Sequence, residues 1–118
     1  MLAKTFIKKQ QERLEKEREK ILIQIENLRK EDPFSDPDHA SDNAAVDTDV
    51  REQVGHEIIE AQIKDLQIRL KEIDYALEKI GKDQYGRCDS CKKNISQARL
   101  KLIPEARYCI DCEKKIRV

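Results

Sequence analysis

Apolar residues in the first part of the chain fall at heptad intervals: Ile7, Leu14, Ile21 and Leu28, with Ile25 at the partner position near the end. No Pro or Gly interrupts the stretch from about Lys4 to Lys30, and strong helix formers fill it. The pattern predicts one helix with a narrow apolar seam on an otherwise charged surface. At about 1.5 Å per residue it would be roughly 40 Å long and would need a partner along its whole seam. A second seam supplies one. Ile59, Ile63, Leu66, Leu70, Ile73, Leu77 and Ile80 are spaced alternately four and three apart, inside a second helix expected from about Asp42 to Ile80. Its proximal half is weaker. The seam extrapolates back to His56 and Glu52, while Val46, Val50 and Val54 form a shifted stripe interrupted by Gly55. A local irregularity or register shift is therefore expected near Gly55-His56.

Between the seams, Glu31-Asp32-Pro33 stops the first helix, because proline disfavours helix in the residue before it and lacks an N–H. The run Asp32-Pro33-Phe34-Ser35-Asp36-Pro37-Asp38 is turn chemistry, and Ser41 or Asp42 suits an N-cap, with Asn43-Ala44-Ala45 as the first turn. So short a connection favours two antiparallel helices that bury their seams on each other; a homodimer using each seam is the alternative. Gly81 is expected to cap the second helix. The expected fold class is all-α, an antiparallel two-helix coiled-coil hairpin over residues 1–81 followed by a small four-cysteine finger over 82–118. In the finger, Ile95, Leu100, Leu102, Ile103, Tyr108 and Ile110 can form only a small apolar cluster.

Composition supports long solvated helices over a broad core. Charged residues are 41% of the 118, aromatics 4%, and Trp is absent. The 24 basic and 24 acidic side chains cancel, which gives no argument for a protein that coats nucleic acid. Their distribution is uneven. Residues 1–30 carry nine basic and five acidic groups, 31–49 seven acidic and none basic, 50–81 five and seven, and 82–118 ten and five. The acidic segment therefore coincides with the expected hairpin tip, at about 32–49. Lysines break the first residues before an apolar signal core can form, and no run approaches a membrane span, so a soluble cytoplasmic protein is expected.

All four cysteines lie in two pairs, Cys88-Asp89-Ser90-Cys91 and Cys109-Ile110-Asp111-Cys112, seventeen residues apart. A thiolate pair two residues apart wraps one side of a metal ion and two such turns complete a tetrahedron, so the spacing reads as a structural Zn2+ site. Two disulfides would suit a secreted chain instead. The tip carboxylates Asp32, Asp36, Asp38, Asp42, Asp47 and Asp49 could contact a basic pore, perturb a bound magnesium or hold a hard cation, although turns and helix starts use aspartate for its own sake. His39 is read as a surface residue and His56 as a polar interruption of the seam. No catalytic triad, phosphate-cradling loop or metalloprotease motif is present, so no enzyme is expected. The basic residues of the finger, among them Arg87, Lys92, Arg99, Lys101 and Arg107, suit either a phosphate or acidic protein surface or a solvated rim.

The run Tyr85-Gly86-Arg87-Cys88-Asp89-Ser90-Cys91, then Ile95, Arg99-Leu100, Pro104 and Cys109-Ile110-Asp111-Cys112, resembles the zinc finger of the DksA/TraR transcription regulators. The long helix and acidic turn before it are similar to that family's coiled-coil arm. The resemblance implies a protein that binds RNA polymerase as a monomer, inserts the coil through the secondary channel, and alters open-complex stability from its tip without contacting DNA sequence. The family tip commonly reads D-x-x-D-x-A. Here Asp42 and Ala44 are the favoured equivalent and Asp38 and Ala40 the rival register, each lacking an Asp three residues earlier. Positions by which some members hold guanosine tetraphosphate fall, on an ungapped count, at Glu72, Ile103 and Glu113, none of which can pair with a phosphate as Lys or Arg would. Two other functions fit the same residues: a secondary-channel factor that stimulates transcript cleavage, and a zinc-ribbon nucleic-acid binder with a dimerising coil.

Overall fold

The computed structural model describes residues 2–35 and 46–116. The fold is all-α. Helix α1 spans Lys4–Glu31, a 3-10 turn follows at Pro33–Ser35, α2 spans Val46–Gly81, and two short helices, α3 at Gln97–Leu102 and α4 at Ile110–Ile116, belong to the finger. Among the described residues there is no strand, only an isolated antiparallel bridge between Arg87 and Asn94. No described helix is long and apolar enough to cross a membrane. The chain divides into two compact units, residues 20–69 and residues 1–19 with 70–118.

In each unit the two long helices pair antiparallel, since contacts that move up α1 move down α2. In the first unit Leu28 shares a groove with Gln62 and Leu66, and just past the end of α1 Asp32 meets His56. In the second, Ile7 and Ile80 line one cavity, while Arg18 Nε reaches Asp74 Oδ1 at 2.6 Å. That ion pair is about half exposed on both sides and contributes at most about 1 kcal/mol. The seam supplies far more. Leu14, Ile21 and Ile73 are fully buried and Ile25 nearly so, and each such aliphatic contributes about 1.5–3 kcal/mol by leaving water. The remaining seam residues, from Ile7 and Leu28 to Ile59, Ile63, Leu66, Leu70, Leu77 and Ile80, are half-buried.

Three expectations need correction. Helix α2 runs unbroken through Gly55, without the irregularity expected there. Its seam continues through His56 and Glu52, both half-buried, whereas Val50 and Val54 point outward at 56% and 49% exposure. Gly55 serves a different need: a Cβ there would stand 3.3 Å from Pro33 Cγ, so the glycine admits the proline that ends α1. His56 is pinned rather than merely tolerated. Its Nδ1 lies 2.7 Å from Asp32 Oδ2, its Nε2 lies 3.3 Å from Glu60 Oε1, and its ring lies 4.5 Å from that of Phe34. Asp32 Oδ1 accepts the Phe34 N–H at 2.9 Å; this bond, with His56, holds the Asp32 carboxyl below its ordinary pKa. The first turn expected for the second helix, residues 42–45, lies outside the described residues.

The third correction concerns the end of α2. Gln84 N–H donates to Lys79 O at 2.8 Å and Asp83 N–H to Ile80 O at 3.2 Å, the paired bonds of a Schellman cap. The left-handed residue that this cap requires is Asp83, at φ 58°, and not Gly81, which is the last helical residue. Asp tolerates that conformation better than most side chains, but glycine adopts it without strain. Replacing Asp83 with Gly is therefore expected to raise stability by about 0.5–1 kcal/mol, and Asp83→Val to lower it by about 1–2 kcal/mol, as read from chemical denaturation of the zinc-loaded protein. Equal midpoints for both variants would remove Asp83 as the cap.

Candidate metal centre

The two cysteine pairs are presented by different local structures. The first sits in a loop whose ends are tied by the Arg87–Asn94 bridge and by Ile95 N–H donating to Gly86 O at 2.7 Å. Inside it, Cys88 N–H donates to Lys93 O at 2.8 Å and Lys92 N–H to Cys88 O at 3.0 Å, with Lys92 itself left-handed at φ 64°. The second pair straddles the start of α4: Cys109 precedes the helix and accepts the Glu113 N–H at 2.9 Å, and Cys112 lies in the first turn. Asp89 N–H donates to Arg107 O at 2.8 Å, which joins the two loops through the backbone.

This arrangement brings all four predicted ligands together. The Sγ atoms of Cys88, Cys91, Cys109 and Cys112 lie within 4.8 Å of one another, and Cys91 Sγ is 3.8 Å from Cys109 Sγ. A tetrahedral zinc with bonds of about 2.3 Å sets its sulfurs about 3.8 Å apart, whereas a disulfide needs about 2.05 Å; the four are free thiols. The residues fit a C4 zinc ion, which would supply two positive charges among four sulfurs. Burial pushes the Cys88 thiol up, but the N–H groups of Cys91, Cys109 and Ser90 outweigh it and bring the thiol down to about 6. Cys112 is pushed up to about 12, first by its contact with Cys109 and then by burial. Cys88 is thus favoured as a thiolate, while Cys112 holds its proton more tightly than a free thiol and would lose it to solvent as a metal ion takes its place.

The apolar support is smaller than the sequence suggested. Ile95 and Leu100 are buried with Cys88 and Cys112, and Tyr85, Ala106, Tyr108 and Cys109 pack around them. Leu102, Ile103 and Ile110 are exposed at 80%, 40% and 54%, because α3 turns only its Leu100 side inward and Ile110 opens α4 away from the cluster. The missing material comes from the far end of the chain, Leu2 and Phe6. Gly86, at φ 83°, allows that approach: a Cβ there would stand 2.6 Å from Leu2 Cδ1 and 3.3 Å from Leu100 Cδ1.

Polar residues that the periodicity passed over attach α1 to the finger. Gln10, 5% exposed, donates through Nε2 to Leu100 O at 2.7 Å and to Tyr85 OH at 3.1 Å, while Arg13 donates to Lys101 O. These two satisfy carbonyls at the end of α3, whose start is capped by Ser96 Oγ accepting the Arg99 N–H at 3.2 Å. Gln10 lies three residues after Ile7 and four before Leu14, one short of the partner position that Ile25 marks farther along, and that nearness to the seam was the available signal. Two of the basic finger residues are structural: Arg99 donates to Tyr108 O at 3.0 Å and stands 4.0 Å from Glu113, and Arg107 Nε donates to Asp89 Oδ2 at 3.1 Å. Arg87, Lys92, Lys93, Lys101, Lys114 and Lys115 are exposed. Asp38, Ala40, Asp42 and Ala44, with His39, lie outside the described residues.

The spacing, the clustered sulfurs and the loop geometry find their counterpart in a family model that matches residues 83–117, the prokaryotic dksA/traR C4-type zinc finger. Over these residues the chain is similar to that finger. Two curated relatives match part of the chain. An uncharacterized protein of Aquifex aeolicus is 51% identical over 47 residues, 40% of this chain and 32% of that protein. The RNA polymerase-binding transcription factor DksA of Haemophilus influenzae is 41% identical over 44 residues, 37% and 30% of the respective lengths. The match thus spans under a third of each relative. Among solved structures, the transcription factor DksA2 of Pseudomonas aeruginosa superposes with a TM-score of 0.83 at 21% identity, covering 98% of this chain and 85% of its own. An RNA polymerase binding protein and transcriptional regulator of Chlamydia trachomatis gives 0.59 at 22%, covering 99% and 93%. These likenesses establish a shared fold.

Two outcomes are expected. Zinc affinity of the finger should rise with pH, and loading at pH 7 should release fewer than four protons, since Cys88 is already largely ionised there; calorimetry in two buffers of different ionisation enthalpy measures this, and a pH-independent affinity would contradict it. Gly86→Ala should cost at least about 1–2 kcal/mol from the left-handed backbone alone, whereas Gly81→Ala, where a Cβ meets nothing, should be neutral or stabilising. Matching denaturation midpoints for the two variants would contradict the close packing assigned to Gly86.

Proposed function

We propose that the chain is a non-enzymatic transcription regulator that binds RNA polymerase, inserts its coiled-coil hairpin into the secondary channel and alters open-complex stability from the acidic turn. The observation that carries this reading is the match of residues 83–117 to the dksA/traR C4-type zinc finger, beside 41% identity over 44 residues to an RNA polymerase-binding transcription factor. The antiparallel hairpin supports it by bringing the acidic segment, seven carboxylates and no basic group over residues 31–49, to the connection between the helices. In this reading residues 1–81 act as the arm and 82–118 as the zinc-locked finger. Asp42 and Ala44 are the working tip, Asp38 and Ala40 the rival register, and the protein acts in the cytoplasm as a monomer without reading DNA sequence. Glu113 faces Arg99 at 4.0 Å and Glu72 and Ile103 are exposed, so the family's alarmone positions offer no cation to a phosphate. Regulation is proposed to proceed without guanosine tetraphosphate at that site.

A photocrosslinker at position 42, combined with open-complex lifetimes on a common promoter, tests the reading. The crosslink should map to polymerase segments lining the secondary channel, and the wild-type chain should change the lifetime. Asp42→Asn should abolish the change while keeping zinc content and helicity. A lifetime effect that survives in both Asp42→Asn and Asp38→Asn, or crosslinks only to DNA, would overturn it; accelerated cleavage in backtracked complexes would favour the transcript-cleavage factor instead.

A further inference from the structure

Lys79 and Gln10 are the buried polar side chains in the described residues, and Lys79 is 6% exposed although it carries a charge on a long flexible stem. Lysine is almost never buried to this degree without specific partners. Both of its hydrogen-bond acceptors belong to the first ligand loop, and the Tyr75 ring lies 5.7 Å away on α2. The ammonium donates to Arg87 O at 2.7 Å and to Asp89 Oδ1 at 2.9 Å, acceptors that flank Cys88 on either side. The other oxygen of Asp89 accepts Arg107 Nε at 3.1 Å, and Arg107 stands two residues before Cys109. Tyr75, one turn before Lys79 on α2, has its ring centroid 4.5 Å from the Arg107 guanidinium. Asp89, inside the first Cys-x-x-Cys, therefore fastens that loop to the second loop and to α2 at once.

We infer that Lys79 is a positioning residue that couples metal occupancy to the last turns of α2: loading of the four-cysteine site and closure of Lys79 on Asp89 form one linked event. The physical reason is the placement of the acceptors. Arg87 O and Asp89 Oδ1 stay at fixed positions only while the Cys88–Cys91 loop keeps its shape, and metal ligation is what holds a loop of this size. When the loop loosens, the Lys79 charge on the buried side of α2 loses its acceptors and must turn to water. The Schellman cap follows, because its 2.8 Å bond from the Gln84 N–H ends on Lys79 O. Linkage makes the coupling reciprocal, so the closed Lys79–Asp89 contact also slows loss of the metal.

The test uses the full zinc-loaded chain with Lys79→Met, Asp89→Asn and the double variant. Zinc release to a chelating dye is followed by absorbance, and hydrogen exchange over residues 73–84 is measured before and after chelation. Each single variant should release zinc about tenfold faster, and the double variant no faster than the faster single. Chelation should accelerate exchange over 73–84 in the wild type and change it little in Lys79→Met, where those amides already exchange quickly. Release within twofold of wild type in both singles, rate factors that multiply in the double variant, or unchanged wild-type exchange on chelation would each overturn the coupling. If Lys79→Met does not fold, Asp89→Asn, which keeps the shape of the side chain, and the wild-type exchange experiment decide the question with the same outcomes.

Discussion

Four sulfurs held within 4.8 Å of one another cannot all ionise unless a cation stands among them, and the rest of the finger is arranged around that constraint. Of the four buried residues in its core cluster two are ligands, Cys88 and Cys112, leaving Ile95 and Leu100 as the only fully apolar members. Two buried aliphatics contribute about 3–6 kcal/mol, whereas a structural zinc site supplies roughly 10–16 kcal/mol. The metal therefore takes the place of a core. Backbone groups prepare for it: N–H donors from both loops converge on Cys88, and the left-handed Lys92 lets the chain reverse within the loop.

A finger so small is held in place by polar contacts rather than by area. Gln10 and Arg13 of α1 take up carbonyls at the end of α3, and Lys79 of α2 takes up acceptors on the first ligand loop. Leu2 and Phe6 complete the apolar cluster from the start of the chain. The two helices that form the hairpin thus each contribute a buried polar side chain whose partners lie in the finger. A hairpin held only by its own seam would have no such tie, since seam contacts are non-directional. Hydrogen bonds to named carbonyls fix orientation, and a buried amide or ammonium without its acceptor would be costly.

Much of this was legible in the sequence. The heptads gave both helices and their pairing, because a sustained period is the strongest local signal, and the cysteine spacing pointed to the four sulfurs that come together. What escaped detection depended on contacts distant in sequence. The shifted valine stripe was more apolar than His56, yet His56 keeps the seam, since Asp32 partners its ring and Gly55 beside it leaves room for Pro33. Asp83 replaced Gly81 as the left-handed residue because the helix end is set by where its carbonyls find donors. Leu102, Ile103 and Ile110 were assigned to the core by hydropathy alone, but α3 is a six-residue helix capped by Ser96, and its facing could not be read without knowing that Gln10 and Leu2 would meet it.

The central claim is that the metal serves as the core of the finger while the paired seams of residues 20–69 hold without it. Amide exchange followed by NMR during chelation of the full chain tests this most directly. The account predicts that the hydrogen-bonded amides of Cys88, Asp89 and Ile95 lose protection once zinc is removed, while those around Ile21 and Ile25 keep theirs. Retained protection at Cys88, Asp89 and Ile95 in the metal-free chain, or simultaneous loss along the seam, would contradict it.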